Sequence, residues 1–137
     1  MIKTRIDYFA KEFNGENHQN KYFWRYFYSE KRKMDYCLEI YMDNDWSWLQ
    51  LFSGEERTAT DDNPKSKKKW EQDNKDIEAW LKKHKLFDGF YFHNEGDEPK
   101  RWTKEFKFPE EENALYDFTD KLIKCLEEDV ESIYSGK

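Results

Sequence analysis

The side chains with the most versatile chemistry are scarce: three histidines and two cysteines. His18 falls in a polar loop, His84 near a helix end and His93 on a strand, and no H-E-x-x-H or similar ligand spacing joins them. His84 and His93 flank Asp88, but three scattered histidines are what composition alone supplies, so no metal site is expected. Cys37 and Cys125 are too few for a disulfide framework or a cysteine-built zinc site. Cys37 lies on the polar-looking face of a strand and Cys125 on the apolar stripe of a helix. Neither has a histidine nearby in sequence to draw off a proton, so both read as unreactive thiols. No G-x-x-x-x-G-K-[ST], G-x-G-x-x-G or G-x-S-x-G occurs, and five glycines leave little to build a phosphate cradle. These patterns lead to the expectation of a protein that is not an enzyme and carries no cofactor.

Two constellations stand against that expectation. Asp88 followed by Glu105-Phe106-Lys107, read as lying on consecutive strands, resembles the D…(D/E)-x-K arrangement of the PD-(D/E)xK nucleases. That resemblance implies acids holding Mg²⁺ and a lysine that positions or activates the attacking water. Roughly three D/E-x-K triplets occur where composition supplies about four, and Asp88 lacks the preceding proline. The segment Lys21 to Lys33 interleaves Tyr22, Phe23, Trp24, Tyr26, Phe27 and Tyr28 with basic residues, and Lys65-Ser66-Lys67-Lys68-Lys69-Trp70 adds a second basic cluster. Rings that stack bases and cations that follow phosphates would make a nucleic-acid-binding module. The competing reading makes Phe23, Trp24, Phe27 and their neighbours core, which a chain poor in Leu, Ile and Val requires.

Charge is distributed unevenly behind a net value of −6. Residues 1–33 and 65–85 each carry about +4, residues 34–64 about −7 and residues 109–137 about −6. Clustered carboxylates can occupy a site built for phosphates and accelerate encounter with a basic protein. The turn and loop carboxylates least needed for folding are Asp43, Asp45, Glu55, Glu56, Asp61 and Asp62, with Trp46 as an aromatic anchor among them. The expected function is therefore a small inhibitor that neutralises a basic partner, as an immunity protein does a toxin or a phage antagonist does a nucleic-acid enzyme. A competing view treats the same charges as a solvated surface that serves solubility.

These side chains must be positioned by one modest domain spanning residues 1–137, since no repeat or linker divides the chain. Only 36% of residues are apolar and 39% are charged, but aromatic residues make up 19%. Each buried ring removes roughly 150–250 Å² from water, so rings can supply the core. No apolar run approaches the roughly 18 residues of a membrane span, and Met1 to Asp7 lacks a signal-type stretch, which predicts a cytoplasmic protein. Ile2, Ile6, Phe9 and Phe13 have helical spacing, with a stop near Asn14-Gly15. Tyr22–Tyr28 reads as a strand covered at least partly on both faces, and Met34–Asp43 alternates with Tyr36, Leu38, Ile40 and Met42 inward. Asp43-Asn44-Asp45 turns the chain into a strand Trp46–Phe52. Residues 53–64 read as loop, residues 65–85 as an amphipathic helix, and Phe87–His93 and Trp102–Phe108 as a hairpin across Asn94–Pro99. Pro109 at the first helical position opens a final helix with Leu115, Phe118, Leu122, Cys125, Leu126, Val130 and Ile133 on one stripe, ended by Gly136. The order α-β-β-β-α-β-β-α predicts an α+β fold with an antiparallel sheet of about five strands and the C-terminal helix on it. Tyr36, Leu38, Ile40, Trp48, Leu115, Phe118, Leu122 and Leu126 are the expected core.

Overall fold

A computed structural model describes residues 7–9, 11, 17–18, 21–29, 33–93 and 100–129. Its fold is α+β, built on an antiparallel sheet. The five expected strands are β2 (Tyr22–Ser29), β3 (Met34–Met42), β4 (Trp46–Ser53), β5 (Tyr91–His93) and β6 (Arg101–Lys107). A sixth, the two-residue β1 (Asn17–His18), pairs with the start of β2, so the backbone of His18 lies on a strand rather than in the expected loop. The order across the sheet is β1-β2-β3-β4-β6-β5. Two long helices follow the expected segments: α1 (Pro64–Lys83) and α2 (Glu112–Asp129). Residues 7–9 and 11 are helical. The expected stop near Asn14-Gly15, the connection Asn94–Pro99 and the end of the last helix at Val130, Ile133 and Gly136 lie outside the described residues. Among the described residues, no helix is long and apolar enough to cross a membrane.

Side-chain alternation sorts the sheet into two faces. Phe23 pairs with Ile40 and Ile40 with Leu49, which puts these three on one side of the central strands. α1, α2 and the helical residues around Phe9 pack on that side. Phe9 meets Phe23 at 5.7 Å between ring centroids, Trp80 of α1 meets Tyr36 at 5.8 Å, and Phe118 of α2 meets Phe106 at 6.1 Å. Phe23, Phe27, Tyr36, Leu38, Ile40, Leu49, Leu51, Leu115, Leu122 and Leu126 are fully buried there. Phe118 is half-buried, with its ring against Phe90 and Phe106. The expectation fails for Trp48. Its neighbours Leu49 and Ser47 point inward, so the two-residue period turns Trp48 onto the other face, where it is half-buried.

α1 starts where Asn63 caps it, its side chain accepting from the Ser66 amide at 3.3 Å, and Pro64 takes the first turn. The helix buries Ile77, Trp80 and Leu81 together with the carboxylate of Asp73. That charge is satisfied by the Ser53 hydroxyl at 2.6 Å and the Lys69 ammonium at 2.9 Å, which locks the helix to the end of β4. Between Ser53 and Asn63 the chain is not plain loop: Gly54–Thr58 forms a 3-10 turn.

Two boundaries differ from expectation. β5 begins at Tyr91, not Phe87, because Gly89 adopts φ +87° and Phe90 closes a turn onto the Phe87 carbonyl at 3.0 Å. Phe87–Phe90 therefore leaves the strand geometry that Asp88 was expected to share. Pro109 does not open α2. It follows a cis peptide bond in a turn, tied to the β3–β4 hairpin by the Phe108 amide on the Asp45 carbonyl at 2.9 Å, and the helix begins at Glu112.

Candidate functional site

The sheet face opposite α1 and α2 carries neither of these helices, with only the 3-10 turn Gly54–Thr58 at one end, and its strands place rings and ionisable groups in rows. Tyr22, Tyr41 and Trp48 lie side by side across β2, β3 and β4, with Glu105 of β6 at the end of the row. Tyr41 stacks on Trp48 with centroids 5.5 Å apart, touches Tyr22 at 4.9 Å and Trp46 at 5.5 Å. The next row holds Trp24, Glu39, Gln50, Thr103 and Tyr91, and the next Tyr26, Cys37 and Phe52. Tyr91 is 41% exposed, and its hydroxyl donates to Glu105. Lateral ring contacts half-bury this face, over which none of the described residues forms a covering layer, and the ring surfaces that remain open can receive cations.

At the end of the sheet beside the 3-10 turn, the rings give way to a polar cradle around Arg101. Its guanidinium forks onto Glu56, with Nη2 to Oε1 at 2.6 Å and Nε to Oε2 at 2.9 Å. Nη1 donates to the Gln50 side-chain carbonyl at 3.0 Å and lies 3.6 Å from Glu39, and the plane rests on the Phe52 ring at 3.7 Å. Next to it opens a cavity of about 400 Å³ lined by Tyr26, Asp35, Cys37, Glu39 and Arg57. Gly54 lies close against its wall: a Cβ there would sit 3.0 Å from the Cβ of Asp35, which would have to give way. Burial pushes the carboxyls of Asp35 and Glu39 above their usual range, Arg57 and Lys69 pulling Asp35 back and Arg101 pulling Glu39 back. Burial, together with the charges of Asp35 and Glu56, pushes the Cys37 thiol up to about 12. That direction disfavours the thiolate, the nucleophilic form of a cysteine. Burial works against the charge of Arg101, but the hydrogen bonds and charge of Glu56 outweigh it and raise its pKa.

The carboxylates singled out in the sequence do not form one patch. Asp43 and Asp45 sit at the β3–β4 turn, where Asp43 Oδ1 accepts the Asn44 amide at 2.8 Å, and Trp46 beside them is half-buried against Tyr41. Glu55, Glu56, Asp61 and Asp62 lie beyond the other end of β4, about 25 Å away at ~3.3 Å per strand residue. Within this second group Glu56 is occupied by Arg101, and Glu55 accepts the Ser66 hydroxyl at 2.7 Å. Asp61 is exposed and paired with Lys67 at 2.6 Å; that hydrogen bond and the lysine charge hold its carboxyl below the usual range. Asp62 is exposed.

The basic-aromatic segment is divided between the two faces. Phe23 and Phe27 are core, whereas Trp24, which the core reading had included, is half-buried on the open face with Tyr22, Tyr26 and Tyr28. Arg25 points to the helix side and pairs with Glu127 of α2 at 2.9 Å, leaving Lys21 and Lys33 exposed at the strand ends; residues 30–32 lie outside the described residues. In the second basic cluster Lys69 is paired with Asp73. Asp88 is in the turn before β5, its backbone carbonyl accepting from the Lys104 ammonium at 2.7 Å, while Glu105 is on the open face with Lys107 exposed two residues on. Among the described residues, no three His, Cys, Asp or Glu side chains are grouped to hold a metal ion. His84 caps α1 with its ring 4.7 Å from Trp80, and His93 is on β5.

The Arg101 cradle and the exposed ring of Tyr91 escaped the sequence reading. A signal existed in β4, where Trp46, Trp48 and Phe52 alternate with Ser47, Leu49 and Leu51: aromatic residues fill the period that the aliphatic core leaves free. Comparisons of the chain with protein families, curated proteins and solved structures give no match.

Proposed function

We propose that the protein is a cytosolic, non-enzymatic binding protein whose open sheet face docks a basic protein partner, and that it inhibits that partner by covering it. The observation behind this reading is the half-buried row of Tyr22, Tyr41, Trp48 and Trp46, over which neither α1 nor α2 packs, set on a face that also carries Asp35, Glu39 and Glu105. Exposed aromatic surface rimmed by polar groups is what interaction sites display, and open ring faces beside carboxylates favour arginine and lysine. Trp46 and Asp43 prolong this face at one end, and Glu55, Asp61 and Asp62, beyond the other end of β4 and partly paired with α1, would add attraction for a basic partner at longer range. Partners of this kind include toxins and nucleic-acid enzymes, which would make the protein an immunity or anti-defence factor. Nucleic acid is disfavoured as the ligand because Arg25 faces the helix layer and the open face is dominated by acids.

The test is a tryptophan-fluorescence titration in low salt with an oligo-arginine peptide and, in parallel, a single-stranded oligonucleotide. The peptide is expected to bind with a steep salt dependence. Tyr41→Ala with Trp48→Ala should weaken it by about tenfold, whereas Asp117→Asn with Glu128→Gln on α2 should leave it unchanged. Peptide binding that is insensitive to the ring substitutions would reduce the interaction to bulk charge. Tight oligonucleotide binding lost on the same substitutions would replace the basic protein by nucleic acid.

A further inference from the structure

A second concavity lies on the opposite side of the sheet from the proposed docking face. It runs between α1 and the β5–β6 edge and encloses about 510 Å³. Three aromatic side chains line it: Trp70 from α1, and Phe92 and Trp102, which are cross-strand partners on β5 and β6. All three are half-buried, so ring surface from both the helix and the strands still meets water. Phe92 and Trp102 have centroids 5.0 Å apart and planes inclined at 53°, so the pair presents ring surface in two directions instead of stacking flat. The Trp102 ring is fixed: its indole donates to the Asn74 backbone carbonyl at 2.9 Å, which ties the strand wall to the helix wall.

The rings offer a ligand little to hydrogen-bond. Trp102 Nε1 is spent on Asn74, and the Trp70 indole Nε1 and the Asn74 side-chain Oδ1 are closed off from solvent. A group seated against this wall gains from dispersion and, if it is a cation, from attraction to the ring faces. Cations already use this group of rings: Lys82 Nζ lies 4.9 Å from the centroid of Phe87, which in turn meets Trp102 at 5.2 Å. The charged residues of the lining are Glu71 and Glu78, matched by Lys75 and Lys100. Glu71, Lys75 and Lys100 are exposed, which sets them at the rim, and Glu78 is committed to the Lys82 ammonium at 2.8 Å. A lone cation therefore finds lysines as well as acids around the opening, and a ligand carrying both signs is the better match.

We propose that this groove binds a small zwitterion of the betaine kind, a trimethylammonium group joined by a short chain to a carboxylate. The trimethylammonium head has no N–H to donate and no lone pair to accept with, so it forfeits no hydrogen bond against the rings, and the negative ring faces of Trp70, Phe92 and Trp102 attract its diffuse charge. The carboxylate lies at the rim with Lys75 and Lys100. Without that anion the cation meets the two lysines unscreened, and without the cation the anion gains nothing from the rings. A groove of this volume accommodates such a ligand. The proposal does not depend on the docking face, which lies on the far side of the sheet.

The experiment is an NMR titration of the full chain that follows the tryptophan indole signals. The probes are glycine betaine, its longer homologue γ-butyrobetaine, choline, and the tert-butyl analogue of each betaine, in which carbon replaces the quaternary nitrogen. At least one betaine is expected to shift the Trp70 and Trp102 signals saturably, with choline and the matching tert-butyl analogue each binding about tenfold more weakly. Lys75→Gln with Lys100→Gln should lower the affinity for that betaine to the level of choline. Phe92→Leu and Trp70→Leu should each weaken it by about tenfold, with the remaining indole signals reporting that the fold is retained. Should Trp70→Leu fail to fold, Phe92→Leu and the ligand series carry the test. No saturable shift with either betaine up to about 10 mM overturns the proposal. It is overturned equally by a tert-butyl analogue that binds as tightly as its betaine, or by betaine affinity unchanged in the double lysine variant.

Discussion

The two faces of one sheet are made by alternate residues of the same strands, and they behave differently because of what lies above them. On one face, Phe23, Leu38, Ile40 and Leu49 have no exposure at all, since α1, α2 and the helical residues around Phe9 close over them. On the other, Tyr22, Trp24, Tyr41 and Trp48 are as large or larger but remain half-buried, with Tyr22, Tyr41 and Trp48 in lateral contact with one another. Ring size therefore does not decide burial in this protein. The covered face is aliphatic with aromatic contributions and excludes water. The open face spends its aromatic residues on a surface that water still reaches, with ion pairs set into it. A layer that only needed to close the sheet would not require six or more rings on the side facing solvent, which is why this face is the proposed site of recognition.

The contrast can be broken most severely by cutting one residue from each face. Leu49→Ala should destabilise the fold by about 2–5 kcal/mol, because a cavity remains under the helices, whereas Trp48→Ala on the adjacent position should cost about 1 kcal/mol. Urea denaturation of both variants checks this, and equal losses would mean that the open face is a second core. A smaller loss is expected from Arg101→Met. Arg101 and Glu56 are 17% and 13% exposed in their side chains, so removing the cation strands Glu56 and Glu39 in a largely dry cradle. A cost of about 2 kcal/mol at neutral pH is expected, and Glu56→Gln in the same chain should recover part of it.

The smallest effect concerns pH. Asp35 and Glu39 have carboxyls raised by burial, so the folded chain holds protons that the unfolded chain has already released. Their contribution then favours the folded state in acid and is lost as pH rises from the ordinary carboxylate range, 3.8 for Asp and 4.5 for Glu, through the raised folded values. Asp35→Asn with Glu39→Gln should flatten this fall in stability, read as melting temperature against pH. A fall of the same steepness in the double variant would place the titration elsewhere in the protein.

Much of the fold was legible because period and punctuation are local properties. The alternation of Tyr36, Leu38, Ile40 and Met42 marked β3 and its inner face, Asp43-Asn44-Asp45 marked the turn, and the Leu115, Leu122, Leu126 stripe marked α2. Gly89 was visible in the sequence, but its positive φ, which shortens β5, belongs to a turn between the half-buried Phe87 and the buried Phe90 that only the folded chain displays.

The sequence by itself determined which residues alternate along each strand, where the chain turns and how charge is apportioned among segments, since each follows from neighbours a few residues apart. Tertiary structure alone decided which set of alternating residues the helices would cover, and so placed Trp48 outside and Leu49 inside. It also brought Arg101 to Glu56 across 45 residues and set Asp43 and Asp61 at opposite ends of β4. Those outcomes depend on strand order and on the side of the sheet to which α1 and α2 return, and no local pattern of residues encodes either one.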